Sequence, residues 1–180
     1  MLKIEQSGIA QKSTKSNEWY TPGYIIDAAR EVMGSIELDP ASCALAQETV
    51  QADRYFTKEE DGLSQEWRAK TVWLNPPFNM PGKKMSQYTW AKKTYEEYKK
   101  GNIQQAIVTM YTSGKNRWFH EIWSLYDGLI SIPYKRPYFL RPNGDRIELV
   151  YLACFAYLGS HEQKFIDVFN RFGTVAKRVS

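Results

Sequence analysis

The chain has little with which to bind a metal or build a disulfide framework. Of 180 residues, two are cysteine and two histidine. Cys43 and Cys154 stand far apart in partly apolar surroundings and read as free thiols in a reducing compartment. His120 and His161 lack partners at ligand spacing and read as surface or capping residues. No apolar run approaches the ~20 residues needed to span a bilayer. Met1-Leu2-Lys3-Ile4-Glu5-Gln6 has no apolar signal core, so the expectation is a cytoplasmic protein with no membrane segment. Repeats, low-complexity tracts and linkers are also missing, which leaves one domain of a size that buries a substantial core. Charge of one sign is weak, a formal +4. The excess gathers mid-chain at Lys83, Lys84, Lys92, Lys93, Lys99 and Lys100, which suits a nucleic-acid partner or a solvated helix face equally.

What is present reads as alternating strands and helices. Residues 1–17 are polar and aperiodic, a tail ahead of a domain over 18–180. Thr21 as N-cap and Pro22 at the first helical position open a helix that closes at Gly34. Ile36-Glu37-Leu38 is a short strand running into Asp39-Pro40-Ala41-Ser42, where proline ends the pairing and leaves a carboxylate at the strand's carboxyl end. Residues 44–51 are a helix and 54–57 a second strand, followed by the acidic Glu59-Glu60-Asp61-Gly62-Leu63 loop. After a third strand come a helix over 86–100 stopped by Gly101, a strand over 105–110, a helix over 116–125 and a strand over 128–132. Alternation of this kind means an α/β fold with a mostly parallel sheet. Arg141-Pro142-Asn143-Gly144-Asp145 is the turn of a C-terminal antiparallel hairpin between 138–140 and the run 147–158; a helix over 161–172 and a short tail end the chain.

The third strand, Thr71-Val72-Trp73-Leu74, stops at Asn75-Pro76-Pro77-Phe78 because neither proline donates to a ladder. Each proline also holds the residue before it extended, giving a stiff tip rich in acceptors. The Asn75 side-chain oxygen and the Pro76 carbonyl suit the two hydrogens of a planar amino group, and Phe78 offers a face for its ring. Taken alone, Asn-Pro-Pro is as well read as a stiffened turn.

Trp19-Tyr20-Thr21-Pro22, Leu38-Asp39-Pro40-Ala41-Ser42, Asp61-Gly62-Leu63 with Trp67, and Asn75-Pro76-Pro77-Phe78, in this order, resemble the phage-type (Dam-like) DNA N6-adenine methyltransferases over roughly residues 18–160. The resemblance implies a Rossmann-like S-adenosylmethionine-dependent sheet, S-adenosylmethionine as methyl donor, no metal, double-stranded DNA as partner, and a phage or prophage origin in a bacterial host. Asn75, Pro76, Pro77 and Phe78 would hold a flipped adenine. Tyr20, Thr21 and Pro22 would line the methionine end of the donor, Asp39 and Ser42 its amino-acid or ribose part, and Asp61 and Leu63 its adenine or ribose. Lys83, Lys84, Arg136 and Phe139 would meet DNA; so short a chain leaves little for a target-recognition domain, so specificity is either relaxed or rests on the loops 79–88 and 111–117. The loop after Asp39 departs from the wider methyltransferase pattern, having Pro40, Ala41 and Ser42 in place of a glycine-rich sequence. Two rivals stay open: a non-catalytic DNA-binding protein that keeps the fold, and an amino-methyltransferase acting on RNA or protein.

Overall fold

Two apolar runs set the architecture. Val72, Trp73 and Leu74 in one, and Ala106, Ile107, Val108 and Met110 in the other, have no exposed surface. Strands buried on both faces must lie inside a helix-covered sheet. The computed structural model describes residues 19–77, 86–112, 115–126, 128–148 and 152–179. Its elements are α1 (Gly23–Met33), β1 (Leu38–Asp39), α2 (Ala44–Val50), β2 (Arg54–Tyr55), β3 (Ala69–Leu74), α3 (Ser86–Lys99), β4 (Ile103–Tyr111), α4 (Arg117–Leu125), β5 (Leu129–Pro133), β6 (Tyr138–Leu140), β7 (Arg146–Glu148), β8 (Ala153–Leu158), α5 (Glu162–Phe169) and β9 (Gly173–Lys177). No helix among the described residues is long and apolar enough to cross a membrane.

Seven strands make one sheet in the order β2-β1-β3-β4-β8-β5-β9. The first four are mutually parallel; β8 is antiparallel to β4 and β5, and β9 to β5. Only β8 and β9 therefore oppose the common direction, and the sheet is mostly parallel. Side chains alternate along β4 with a period of two. Ala106, Val108 and Met110 join Trp90, Ala91, Phe119 and Ile122 in one core, while Ile107 joins Ile25, Ile26, Phe165 and Phe169 in the other. Helices α3 and α4 thus cover one face, α1 and α5 the opposite one. From β1 the chain moves outward to β2, then returns past β1 to β3, so the strand order reverses between β1 and β3. In open α/β sheets the crevice at the carboxyl ends of such a pair is where ligands bind.

Three expectations need correction. Thr21 is not the cap of α1: Pro22 takes that position, with φ −68° and ψ 150°, and its carbonyl receives the Ile25 N–H at 3.1 Å. The tail after the last helix is a strand, because Gly173–Lys177 completes the edge of β5, with Ser131 opposite Val175. The run 147–158 divides. Its start, β7, pairs with β6 as a separate two-stranded sheet, while β8 is inserted between β4 and β5. The hairpin itself forms, closed by the Arg141 N–H to the Asp145 carbonyl at 2.9 Å.

The lysine-rich helix α3 is in part a structural element. Glu97 is buried, and burial opposes its ionisation. Hydrogen bonds from Asn102 and Lys93 and the charges of Lys93 and Lys100 outweigh that, and hold its carboxyl below the usual range. Lys93 also lies 5.3 Å over the Trp67 ring.

Candidate active site

Four turns at the carboxyl edge of the sheet enclose a cavity of about 200 Å³. Strand β3 delivers Asn75, and Pro76 and Pro77 end the ladder there. The Asn75 Nδ2 group donates to the Trp19 carbonyl at 2.8 Å, which fixes the amide and leaves Oδ1 buried with no partner. Trp19 and Tyr20 are themselves tied down, since Tyr20 and Leu140 exchange main-chain hydrogen bonds of 2.8 and 2.9 Å. Thr21, freed from capping, lines the same cavity and has a buried and unpartnered Oγ1.

Asp39 ends β1 and is 3% exposed. Gln47 Nε2 donates to its Oδ2 at 3.0 Å and to Ser42 Oγ at 2.7 Å, and the Ala41 N–H reaches Oδ1 at 3.4 Å. Gln47 is in turn oriented by the Ala52 N–H on its Oε1, at 2.8 Å. Burial pushes the Asp39 carboxyl up to about 6, against the hydrogen bonds from Ser42, Ala41 and Gln47.

The third turn carries Asp61, exposed and at φ 49°, whose Oδ1 accepts the Leu63 N–H at 3.3 Å. Next to it Gly62 meets the Asp39 loop so closely that a Cβ would lie 1.9 Å from the Pro40 carbonyl oxygen. Trp67 Nε1 donates to the Gly62 carbonyl at 2.8 Å and the ring stacks 6.3 Å from Trp90. Trp67 is therefore a core residue that holds this turn in place.

The cavity wall gathers Tyr20, Thr21, Asp39, Ser42, Asp61, Asn75, Pro76 and Pro77 from the expected set. It leaves out two of those expected to hold the donor. Pro22 is buried at the start of α1, and Leu63 packs its side chain on the main core. Phe139 is also misplaced by the expectation: it has no exposed surface and packs with Ala153, Trp19, Tyr111 and Ile147, so its ring anchors the hairpin rather than facing a base. Arg136 is exposed. Phe78, Lys83, Lys84, residues 1–17 and most of the 79–88 loop lie outside the described residues.

Sequence reasoning passed over Gln47, Lys58, Trp73 and Trp90. Trp73 and Trp90 line the cavity, and their indole N–H groups are buried without partners, like Thr21 Oγ1 and Asn75 Oδ1. Buried polar groups are rarely left unpaired, and four residues that line this cavity carry two donors, a hydroxyl and an acceptor in that state. The available signal was that a tryptophan in a buried strand needs somewhere to send its N–H.

Comparison with known proteins agrees with the turns. A DNA N-6-adenine-methyltransferase of Haemophilus phage HP1 is 23% identical over 112 residues, covering 60% of this chain and 57% of the relative. One of Escherichia phage T1 is 27% identical over 123 residues, covering 65% of this chain and 47% of that protein. The chain thus spans about half the length of these curated relatives. Residues 8–149 match the family described as DNA N-6-adenine-methyltransferase (Dam). The match takes in all four turns of the cavity, and the chain belongs to this family.

Proposed function

We propose that the chain transfers a methyl group from S-adenosylmethionine to the exocyclic N6 amine of an adenine flipped out of double-stranded DNA, on a Rossmann-like methyltransferase sheet. The observation that carries this reading is Asn75 Oδ1, a buried acceptor with no partner, on a residue of the cavity wall whose Nδ2 is engaged by Trp19. The adenine amine is a poor nucleophile because its lone pair is delocalised into the ring. Two acceptors on its hydrogens, Asn75 Oδ1 and the Pro76 carbonyl, favour the pyramidal nitrogen needed for attack and act mainly in the transition state. When bound, the donor supplies an electrophilic methyl on its sulfonium. The chain's part is to orient the amine beside it, which is worth ~7 kcal/mol or more for well-aligned groups. Flipping costs a few kcal/mol, which contacts to the extruded base must offset.

The donor set suits that ligand. Asp39 and Ser42 take hydroxyl or amine hydrogens, the two indole N–H groups and Thr21 meet ligand acceptors, and Asp61 stands at the rim. Both phage relatives are named for adenine as target, which agrees with this reading. The reversal of strand order between β1 and β3 supports the Rossmann-like reading. Incubation with donor carrying a labelled methyl, and separate DNA, RNA and protein acceptors, tests the proposal. Label in DNA is expected; label in RNA or protein alone favours the other amino-methyltransferase reading, and no label in any acceptor favours the non-catalytic one.

Asp39 gives a pH prediction. Its folded pKa of about 6 lies above the ordinary 3.8, so the folded protein binds this proton more tightly than the unfolded chain. The ionised form therefore subtracts up to roughly 3 kcal/mol from stability; the loss sets in between those two values and is complete above them. Donor binding needs the ionised acceptor and is expected to weaken as pH falls through about 6. Tyr20, Cys43, Lys58 and Asp61 are the other titratable groups on this wall. Asp39→Asn is expected to melt no lower than wild type near neutral pH, yet to bind donor about tenfold or more weakly with little pH dependence. Calorimetric titration from about pH 5 to about pH 8 checks this. Unchanged affinity in the variant contradicts it.

A further inference from the structure

We infer that the β6–β7 hairpin, with the Tyr134–Pro137 stretch before it and Tyr24 beside it, is the surface on which the DNA duplex around the target base docks; this rests on the DNA reading above. Its position comes first. Leu140 of the hairpin is bonded in both directions to Tyr20, and Trp19, next in the chain, accepts the Asn75 amide. The hairpin is thus fastened to the segment that orients the acceptor.

Charge comes second. Lys135, Arg136 and Arg146 are exposed and Arg141 is half-buried, and none has an ion-pair partner among the described residues. Two carboxylates of α1 have cationic partners: Asp27 lies 3.8 Å from Arg30, and Glu31 takes both Arg171 nitrogens at 2.7 Å. Asp145, which accepts from the neutral Asn143 amide at 2.7 Å, and Glu148, opposite Tyr138, are the hairpin's two carboxylates, fewer than the cations around them. In and just after α3, by contrast, Lys93 and Lys100 are paired with Glu97.

Aromatic rings are interleaved with these cations. Tyr134 is 75% exposed. The Tyr24 ring is 38% exposed, 5.8 Å from Tyr138 and 5.7 Å from Phe172. The Arg146 guanidinium lies 4.5 Å over Tyr138, which holds its planar fork ready for a phosphate or a base edge. Unpaired cations and exposed rings on one surface are the footprint of a nucleic-acid site, with cations for phosphates and a ring to lie against a sugar or base.

The test measures binding of the full-length protein to a labelled mixed-sequence duplex by fluorescence anisotropy across a salt series. The quadruple variant K135S/R136S/R141S/R146S is compared with K70S/K99S/K164S/R178S, which removes the same charge elsewhere. Each phosphate contact adds roughly 0.9 to the magnitude of the slope of log affinity against log salt, so the hairpin variant, short of four cations, is expected to lose up to about 3.6 from it. It should also bind at least about tenfold more weakly than the control variant. Tyr134→Ala is expected to lose roughly tenfold in affinity at an unchanged slope. Calorimetry with donor, unchanged in all variants, verifies that they fold. Equal losses in the hairpin and control variants, or wild-type behaviour of the hairpin variant, overturn the inference, as does a hairpin-dependent preference for single strands over duplex. The DNA reading fails separately: wild type then transfers no methyl to DNA at all, whereas a wild type that methylates DNA beside an unaffected hairpin variant refutes the surface alone.

Discussion

Asn75→Ala is expected to lower methyl transfer by about 10²-fold or more while donor affinity stays within about threefold of wild type. The asymmetry follows from the two ends of one amide. Nδ2 is spent on the Trp19 carbonyl, so the side chain cannot rotate freely, and Oδ1 is left as the buried acceptor. Removing an interaction that strengthens only as the amine becomes pyramidal lowers the catalytic rate rather than binding. Asn75→Asp separates acceptor from anchor, because it keeps an oxygen at the tip but cannot donate to Trp19. It is expected to retain measurable activity below wild type. Single-turnover kinetics with donor affinity measured in parallel checks both variants. Near-normal turnover in Asn75→Ala contradicts the assignment.

Gly62→Ala is expected to be the most disruptive single methyl group near the site. The added carbon would stand 1.9 Å from the Pro40 carbonyl oxygen, 3.0 Å from its carbon and 3.2 Å from Trp90 Cη2. Two of those neighbours are backbone, so relief requires one loop to move away from the other. The Asp61 turn is held by Trp67 through the Gly62 carbonyl, and the movement therefore falls on Pro40–Ser42, displacing the Asp39 and Ser42 acceptors. Overpacking of this severity costs roughly 3 kcal/mol or more, and for a chain this long each kcal/mol lowers the melting temperature by about 2–4 °C. A fall of about 10 °C, with loss of the stabilisation that donor gives the wild type, is expected in thermal melts. A variant with wild-type melting and a normal donor response contradicts the close-approach account.

The turns at the strand ends were legible because proline and glycine act locally. Pro40 and Pro76 stop their strands whatever surrounds them, so Asp39 and Asn75 were readable as strand-end groups. Thr21 was misread for the same local reason: Thr-Pro fits a cap and first helical turn, but the helix begins one residue later and releases the hydroxyl. Gln47, Trp73 and Trp90 were hidden because their roles arise only when the β1 and β3 ends and α3 meet around one cavity. The edge strand β9 was missed because Gly-Thr-Val-Ala-Lys offers only Val175 and Ala176 as apolar side chains, and its state is fixed by pairing with β5. Phe139 shows the converse, an aromatic next to Arg and Tyr that looks available in sequence and is wholly buried in the fold.

The most direct measurement is nucleoside analysis by mass spectrometry of duplex DNA incubated with S-adenosylmethionine and either wild type or Asn75→Ala. The account predicts N6-methyldeoxyadenosine as the product of the wild type and little or none from the variant. Wild-type DNA carrying methyl only on cytosine, or equal amounts of methylated adenine from both proteins, would contradict the claim that the Asn75 tip holds the adenine amine.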